Sequence, residues 1–265
     1  MMVEVCGVSI PDYNMIGKVA IVTGAGSGIG RAAAIQLAYC GAAVIVAGIP
    51  LSQSLEVQDE IRGFGGKALG IETDVSVPAQ AELMVAHAVE EFGGVDIMIS
   101  NAGISGKMAP LLDQSVDDLQ RLLDINLKGI YNTSCAAARQ MIKQGRGGKI
   151  VNTSSIAIVE GGGGVGMYGA TKGGVSAITR AMAYEWAQYG INVTAVAPGR
   201  TLTGMSVKAA SNPEILKGMV SRIPIGHVAQ PAEIAALMVF LASDIASYMS
   251  GTTLFNDGGA TIGGF

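Results

Sequence analysis

Residues 18–41 constrain the fold more tightly than any other stretch. KVAIVT, a short β-branched apolar run, enters the turn Gly24-Ala-Gly-Ser-Gly-Ile-Gly30, and RAAAIQLAYCG continues as an alanine-rich helix stopped by glycine. Strand, glycine turn and helix in that order open a parallel α/β sheet. Glycines there leave backbone N–H groups and a helix N-terminus open to a diphosphate, because no Cβ blocks the approach. An ordinary tight turn would also use glycine. The position after a strand and before a helix favours dinucleotide binding at Gly24, Ser27, Gly28, Ile29 and Gly30.

The same unit recurs along the chain. Strands are expected at 43–47, 67–73, 95–100, 149–153, 191–197 and 252–255, with helices at 51–62, 79–92, within 115–143, from Tyr168 to the stop at Gly190, and at 231–241. This predicts a Rossmann-type, doubly wound, parallel seven-stranded α/β sheet in three layers. One domain, 17–265, follows an N-terminal arm, 1–16, and a segment at about 201–222 covers the substrate. A chain that is 49% hydrophobic, 14% charged and holds 38 glycines suits a sheet buried on both faces.

The chemistry is concentrated in residues 154–172, SSIAIVEGGGGVGMYGATK. If Tyr168 opens a helix, Lys172 lies one turn on, on the same face. A free phenol titrates near ~10, and an adjacent cation favours the phenolate, so Lys172 is expected to tune Tyr168 for acid/base work. Tyr-x-x-x-Lys alone also fits any solvated helix face. The hydroxyl of Ser155, thirteen residues upstream of Tyr168, and the turn TGAGSGIG lift it above that reading.

Together these motifs resemble the classical short-chain dehydrogenase/reductase family, along nearly the whole chain. The resemblance implies a catalytic Asn126, Ser155, Tyr168 and Lys172, with the spacing selecting Ser155 over Ser154. It implies that Asp74 and Val75 hold an adenine ring, the alternative being that Asp74 caps the helix beginning near Pro78. It places Asn101-Ala102-Gly103 beside the ribose, Pro198-Gly199 behind the nicotinamide, Thr203 on its carboxamide and Thr201 alongside. Lys172 would hold the ribose, and Asn126 would position a water linking Lys172 to solvent. The implied activity is hydride transfer between a nicotinamide cofactor and an alcohol or ketone, in a homotetramer built through the last helix and strand.

Members that choose NAD carry an acid at the end of the second strand, where this chain has Gly48. Members that choose NADP carry a cation just after it or in the glycine turn, where this chain has Ile49 and Ser27. Burying a phosphate without a cation is costly, so the expectation is NAD rather than NADP, with Arg31 the nearest residue able to reverse it.

Other functions lack their residues. A net charge of −4 without basic clusters leaves no footprint for nucleic acid or an anionic membrane, and no apolar run spans a bilayer. Cys6, Cys40 and Cys135 are scattered, which fits a reducing, cytoplasmic location. His87 and His227 stand near no nucleophile motif, which argues against a hydrolytic triad or a metal site. A silent nicotinamide-binding regulator is disfavoured by the intact four-residue set. An epimerase or dehydratase would need a longer C-terminal domain. The substrate is left open among sugars, polyols, hydroxy acids and bulky ketones. Met108, Met167 and Met205 are candidate apolar walls, Gly161 to Gly164 leave room, and Glu160 either binds a hydroxyl or faces water.

Overall fold

The computed structural model describes residues 3–5, 8–10, 13–204 and 211–262. Strands β1 (Val3–Val5) and β2 (Val8–Ile10) pair antiparallel within the arm. The remaining strands, β3 (Val19–Thr23), β4 (Ala43–Gly48), β5 (Lys67–Glu72), β6 (Ile97–Ser100), β7 (Gly148–Thr153), β8 (Ile191–Pro198) and β9 (Thr253–Asn256), form one parallel sheet. Its order is β5-β4-β3-β6-β7-β8-β9, so the chain reverses direction across the sheet between β3 and β6. Open α/β sheets bind ligands at that switch point, outside the carboxyl ends of the strands.

Helices cover both faces, which is why β3 and β6 are buried at every residue and read as unbroken apolar runs. On one face Ala20, Val22, Val44 and Val46 pack against α1 (Gly28–Tyr39), α2 (Leu51–Gly63) and α8 (Pro231–Ala242) through Leu37, Ile61 and Met238. On the other, Ile21, Ile45 and Ile150 meet α3 (Pro78–Phe92), α5 (Gly129–Gln144) and α6 (Gly166–Trp186) through Met84, Met141 and Met182. Edge strand β5 instead alternates between buried and exposed residues.

The helix expected within 115–143 is more elaborate than its sequence. Ser115 closes a capping box with Asp118, α4 (Val116–Leu122) begins, and a π-helical turn, Leu123–Lys128, precedes α5. Single π turns inside helices are frequent at functional sites, and this one carries Asn126. A short helix, α7 (Pro213–Val220), lies in the segment expected to cover the substrate. Met205 lies outside the described residues. Among the described residues, no helix is long and apolar enough to cross a membrane.

Candidate active site

The carboxyl ends of the strands open into a cleft of about 600 Å³ that runs from Gly48 and Asp74 at one end to Ser155, Tyr168 and Lys172 at the other. Gly24, Ser27, Gly28 and Ile29 form its wall between β3 and α1. Gly24 and Gly28 hold φ of +62° and +55°, a backbone region that side chains disfavour. Ser27 sits at the N-cap of α1 without capping it, and the first turn holds no acidic residue, so the helix N-terminus faces the cleft with its N–H groups and positive dipole end. Thr203 lies directly over this turn, its Cγ2 3.2 Å from where a Cβ on Gly28 would be. Gly30 differs from its neighbours, since it does not line the cleft. A Cβ there would run into the Gly24 carbonyl oxygen and the Asn101 side chain, so this glycine allows close packing of helix on strand.

Asn101, Ala102 and Gly103 line the middle of the cleft, held by Thr23 from the adjacent strand. The Thr23 hydroxyl accepts from the Asn101 and Ala102 backbone N–H groups at 3.0 and 3.2 Å, and the Asn101 amide donates to the Thr23 carbonyl at 3.0 Å. Val75 lines the cleft with Asp74. Asp74 does not cap α3, whose N-cap is Val77. Its carboxylate instead accepts from the Ser76 N–H and hydroxyl at 2.9 and 2.6 Å. Pro198, Gly199, Thr201 and Thr203 close the far wall, with the Thr201 hydroxyl donating to the Gly199 carbonyl at 3.0 Å.

At the opposite end, β7 delivers Ser154 and Ser155 while α6 brings Tyr168 and Lys172 across from them. Lys172 is only 2% exposed, and its ammonium donates to the Thr153 carbonyl at 2.7 Å, 5.8 Å from the centre of the Tyr168 ring. Burial lowers the Lys172 pKa to about 8. Burial also raises that of the Tyr168 phenol, and the opposing pull comes from a hydrogen bond with the Ser155 side chain. Ser155 pulls the phenol down, and the Lys172 ammonium stands beside the same ring. Ser154 is structural in its contacts, bonded to the Lys172 carbonyl at 3.1 Å and to the Ser176 hydroxyl at 2.9 Å.

Asn126 lies outside the cleft lining and is fully buried. Its Oδ1 accepts from the Ile104 N–H at 2.8 Å, and its Nδ2 donates to the Ile104 carbonyl at 2.9 Å and the Thr171 hydroxyl at 3.3 Å. Both ends of the side chain thus fix the segment that follows Gly103.

The cleft also recruits residues that the motifs did not indicate: Thr73, Ile104, Ile125, Thr153, Ser154 and Gly204. The two hydroxyl residues at the end of β7 were recoverable from their place beside Ser155. The two isoleucines carry no sequence signal that separates them from core. Glu160 is partly buried and its carboxylate pairs with Arg200 at 3.3 Å. Met108 is exposed and Met167 half-buried. His227 bonds Glu233 in the capping box of α8, away from the cleft. Among the described residues no group of three His, Cys, Asp or Glu side chains is arranged to hold a metal.

A nicotinamide dinucleotide suits this lining. It offers positive-φ glycines with no Cβ, a helix N-terminus free of competing carboxylates, and at Thr153 a buried hydroxyl without a partner.

A family model described as enoyl-(acyl carrier protein) reductase matches residues 24–261. The L-rhamnose 1-dehydrogenase (NAD(P)(+)) of a Sphingomonas species is 41% identical over 250 residues, which cover 93% of this chain and 97% of that one. The 2-dehydro-3-deoxy-D-gluconate 5-dehydrogenase of Dickeya dadantii is 36% identical over 247 residues, covering 93% and 96%. Among solved structures, a short-chain type dehydrogenase/reductase from Mycobacterium marinum superposes with a TM-score of 0.89 at 38% identity, covering 94% of this chain and 97% of that one.

Proposed function

Because the chain belongs to the short-chain dehydrogenase/reductase family, we propose that the end of the cleft formed by Ser155, Tyr168 and Lys172 is where it carries out the family's chemistry. The chain is an NAD(P)-dependent oxidoreductase that interconverts a CH–OH group and a carbonyl. When bound, the nicotinamide ring supplies or accepts the hydride. Tyr168 handles the accompanying proton, giving it to the substrate oxygen during reduction and taking it during oxidation. Ser155 hydrogen-bonds the same oxygen and steadies the phenol. Lys172, anchored by the Thr153 carbonyl, orients the ribose. Asn126 acts by position, holding Ile104 and the Asn101-Ala102-Gly103 turn against the cofactor.

The observation that carries this reading is the convergence of the Tyr168 phenol, Ser155 and a buried Lys172 ammonium in one end of a glycine-walled cleft. The rhamnose and deoxygluconate relatives point to a small hydroxylated substrate, a sugar or sugar acid. The cofactor is NAD in our reading, since the candidate phosphate-reading positions Gly48, Ile49 and Ser27 are uncharged and Arg31 pairs with Glu60 on α2. We also assign a homotetrameric assembly and a cytoplasmic location. The test is a panel of aldoses, sugar acids and simple secondary alcohols, run against each cofactor while absorbance is followed at the reduced-nicotinamide band. Net cofactor conversion with a sugar-like alcohol supports the reading. No conversion with any alcohol or carbonyl overturns it in favour of a silent cofactor-binding protein.

A further inference from the structure

The end of β4 lacks the carboxylate expected of an NAD-reading site, and packing does not explain its absence. A Cβ on Gly48 would find only ordinary contacts, the Ser54 hydroxyl at 3.5 Å and the Ala25 nitrogen at 3.6 Å, and Gly48 does not have a positive φ. A side chain would fit there, so any discrimination between cofactors lies elsewhere. The residue read by the adenosine ribose in such folds stands about 20 positions beyond the glycine turn, which is the Gly48 region, and a phosphate on that ribose would seek the nearest free N–H groups at a helix N-terminus. Here that terminus belongs to α2, which begins two residues after Ile49, and both Gly48 and Ile49 line the cleft.

The terminus is already occupied. Pro50, at the N-cap, offers no side-chain bond, and the Leu51 N–H donates instead to the carboxylate of Glu72 at 3.3 Å. Glu72 is the last residue of β5 and lies directly beside Gly48 in the strand register. The nearest candidate counter-cation, Arg31, is paired with Glu60. On the inner side, Ser54 is 0% exposed and its hydroxyl has no partner, next to the space left by the missing Gly48 side chain.

We propose that Glu72, from the neighbouring strand, takes over the role of the missing carboxylate on β4 and excludes a ribose 2′-phosphate. This rests on the nicotinamide reading of the cleft given above. The two anions would compete for one N–H group with no cation between them, so the exclusion acts through charge and is screened by salt.

The test titrates the full chain with 5′-AMP and with adenosine 2′,5′-bisphosphate, following binding heats at low ionic strength. The expected result is wild-type binding of the bisphosphate at least about tenfold weaker than AMP, a ratio that Glu72→Gln brings to within about threefold. The glutamine oxygen still accepts from Leu51, so α2 keeps its first turn. Adding Gly48→Asp to Glu72→Gln restores the discrimination, because a carboxylate then returns to the family's usual place. The ratio of kcat/KM for NADP over NAD should move in parallel. A wild-type chain that discriminates equally well after Glu72→Gln overturns the role of Glu72 and leaves the NAD reading standing. A wild-type chain that binds both ligands alike overturns the NAD reading itself, and one that binds neither overturns the nicotinamide reading of the cleft.

Discussion

At Tyr168 the phenol is held neutral by burial and steadied by Ser155, so its work is to pass a proton it already carries. Tyr168→Phe removes that proton while leaving the ring's packing in place. Turnover is expected to fall by about 10² to 10⁴-fold, with cofactor binding, read by nicotinamide fluorescence, still measurable. Retention of most turnover would remove Tyr168 from the chemistry. Lys172 makes a prediction of a different kind. Its folded pKa of about 8 lies below the ordinary 10.5. Below pH 8 both states carry the proton, and the buried charge opposes folding. Between about 8 and 10.5 the unfolded chain binds more protons, so this group makes stability rise with pH across that window, by on the order of 3 kcal/mol. Urea unfolding of wild type and Lys172→Met at pH 7 and pH 10 isolates the effect: the difference should shift in favour of wild type at the higher pH. No change in that difference would mean that Lys172 is not buried as a cation.

At the scale of elements, the junction of β3 and α1 depends on Gly30, where any Cβ meets the Gly24 carbonyl. Gly30→Ala should therefore destabilise the chain by about 1–3 kcal/mol in thermal or urea unfolding and weaken cofactor binding, because relief of the clash displaces the glycine turn. Unchanged stability would show that the junction has slack. This junction was fully legible in the sequence, as were the seven strands of the parallel sheet and their order of appearance, since a buried parallel strand and a glycine turn are local patterns; the short antiparallel pair of β1 and β2 within the arm was not. Ser155, Tyr168 and Lys172 were legible as candidates for the same reason. Asn126 was legible only as a position. Nothing in DINLKG specifies a π turn, and its partner Ile104 lies 22 residues away across the sheet end. The pairing of Glu160 with Arg200 and of Glu72 with Leu51 depended on which loop ends the sheet brings together, which local sequence does not encode.

For the whole molecule, the sheet ends in an edge strand, β9, next to β8 on one side only. Phe255 on that strand is 43% exposed and Tyr248 just before it is fully exposed. Bare edges and exposed aromatics are liabilities that assembly removes. A tetramer with the last strand and α8 at one interface would do so, related by two-fold axes that place the same patch on both partners. Sedimentation should find a tetramer, and Phe255→Asp should shift it toward smaller species. A monomeric wild type at working concentration would contradict this.

The loop after β6 has consequences beyond the cleft it lines. Residues 101–104 belong to no helix or strand, yet the amides of Asn101 and Ala102 are tied to Thr23 and that of Ile104 to Asn126. Amide hydrogens open at a rate set by what holds them, whatever the name of the segment. In deuterated buffer these three should therefore exchange with the slow class of the central strands, while exposed Gly161, Gly162 and Gly163 in the other loop exchange at once. The segment after β6 would keep a fixed shape while the glycine loop is free to change its own.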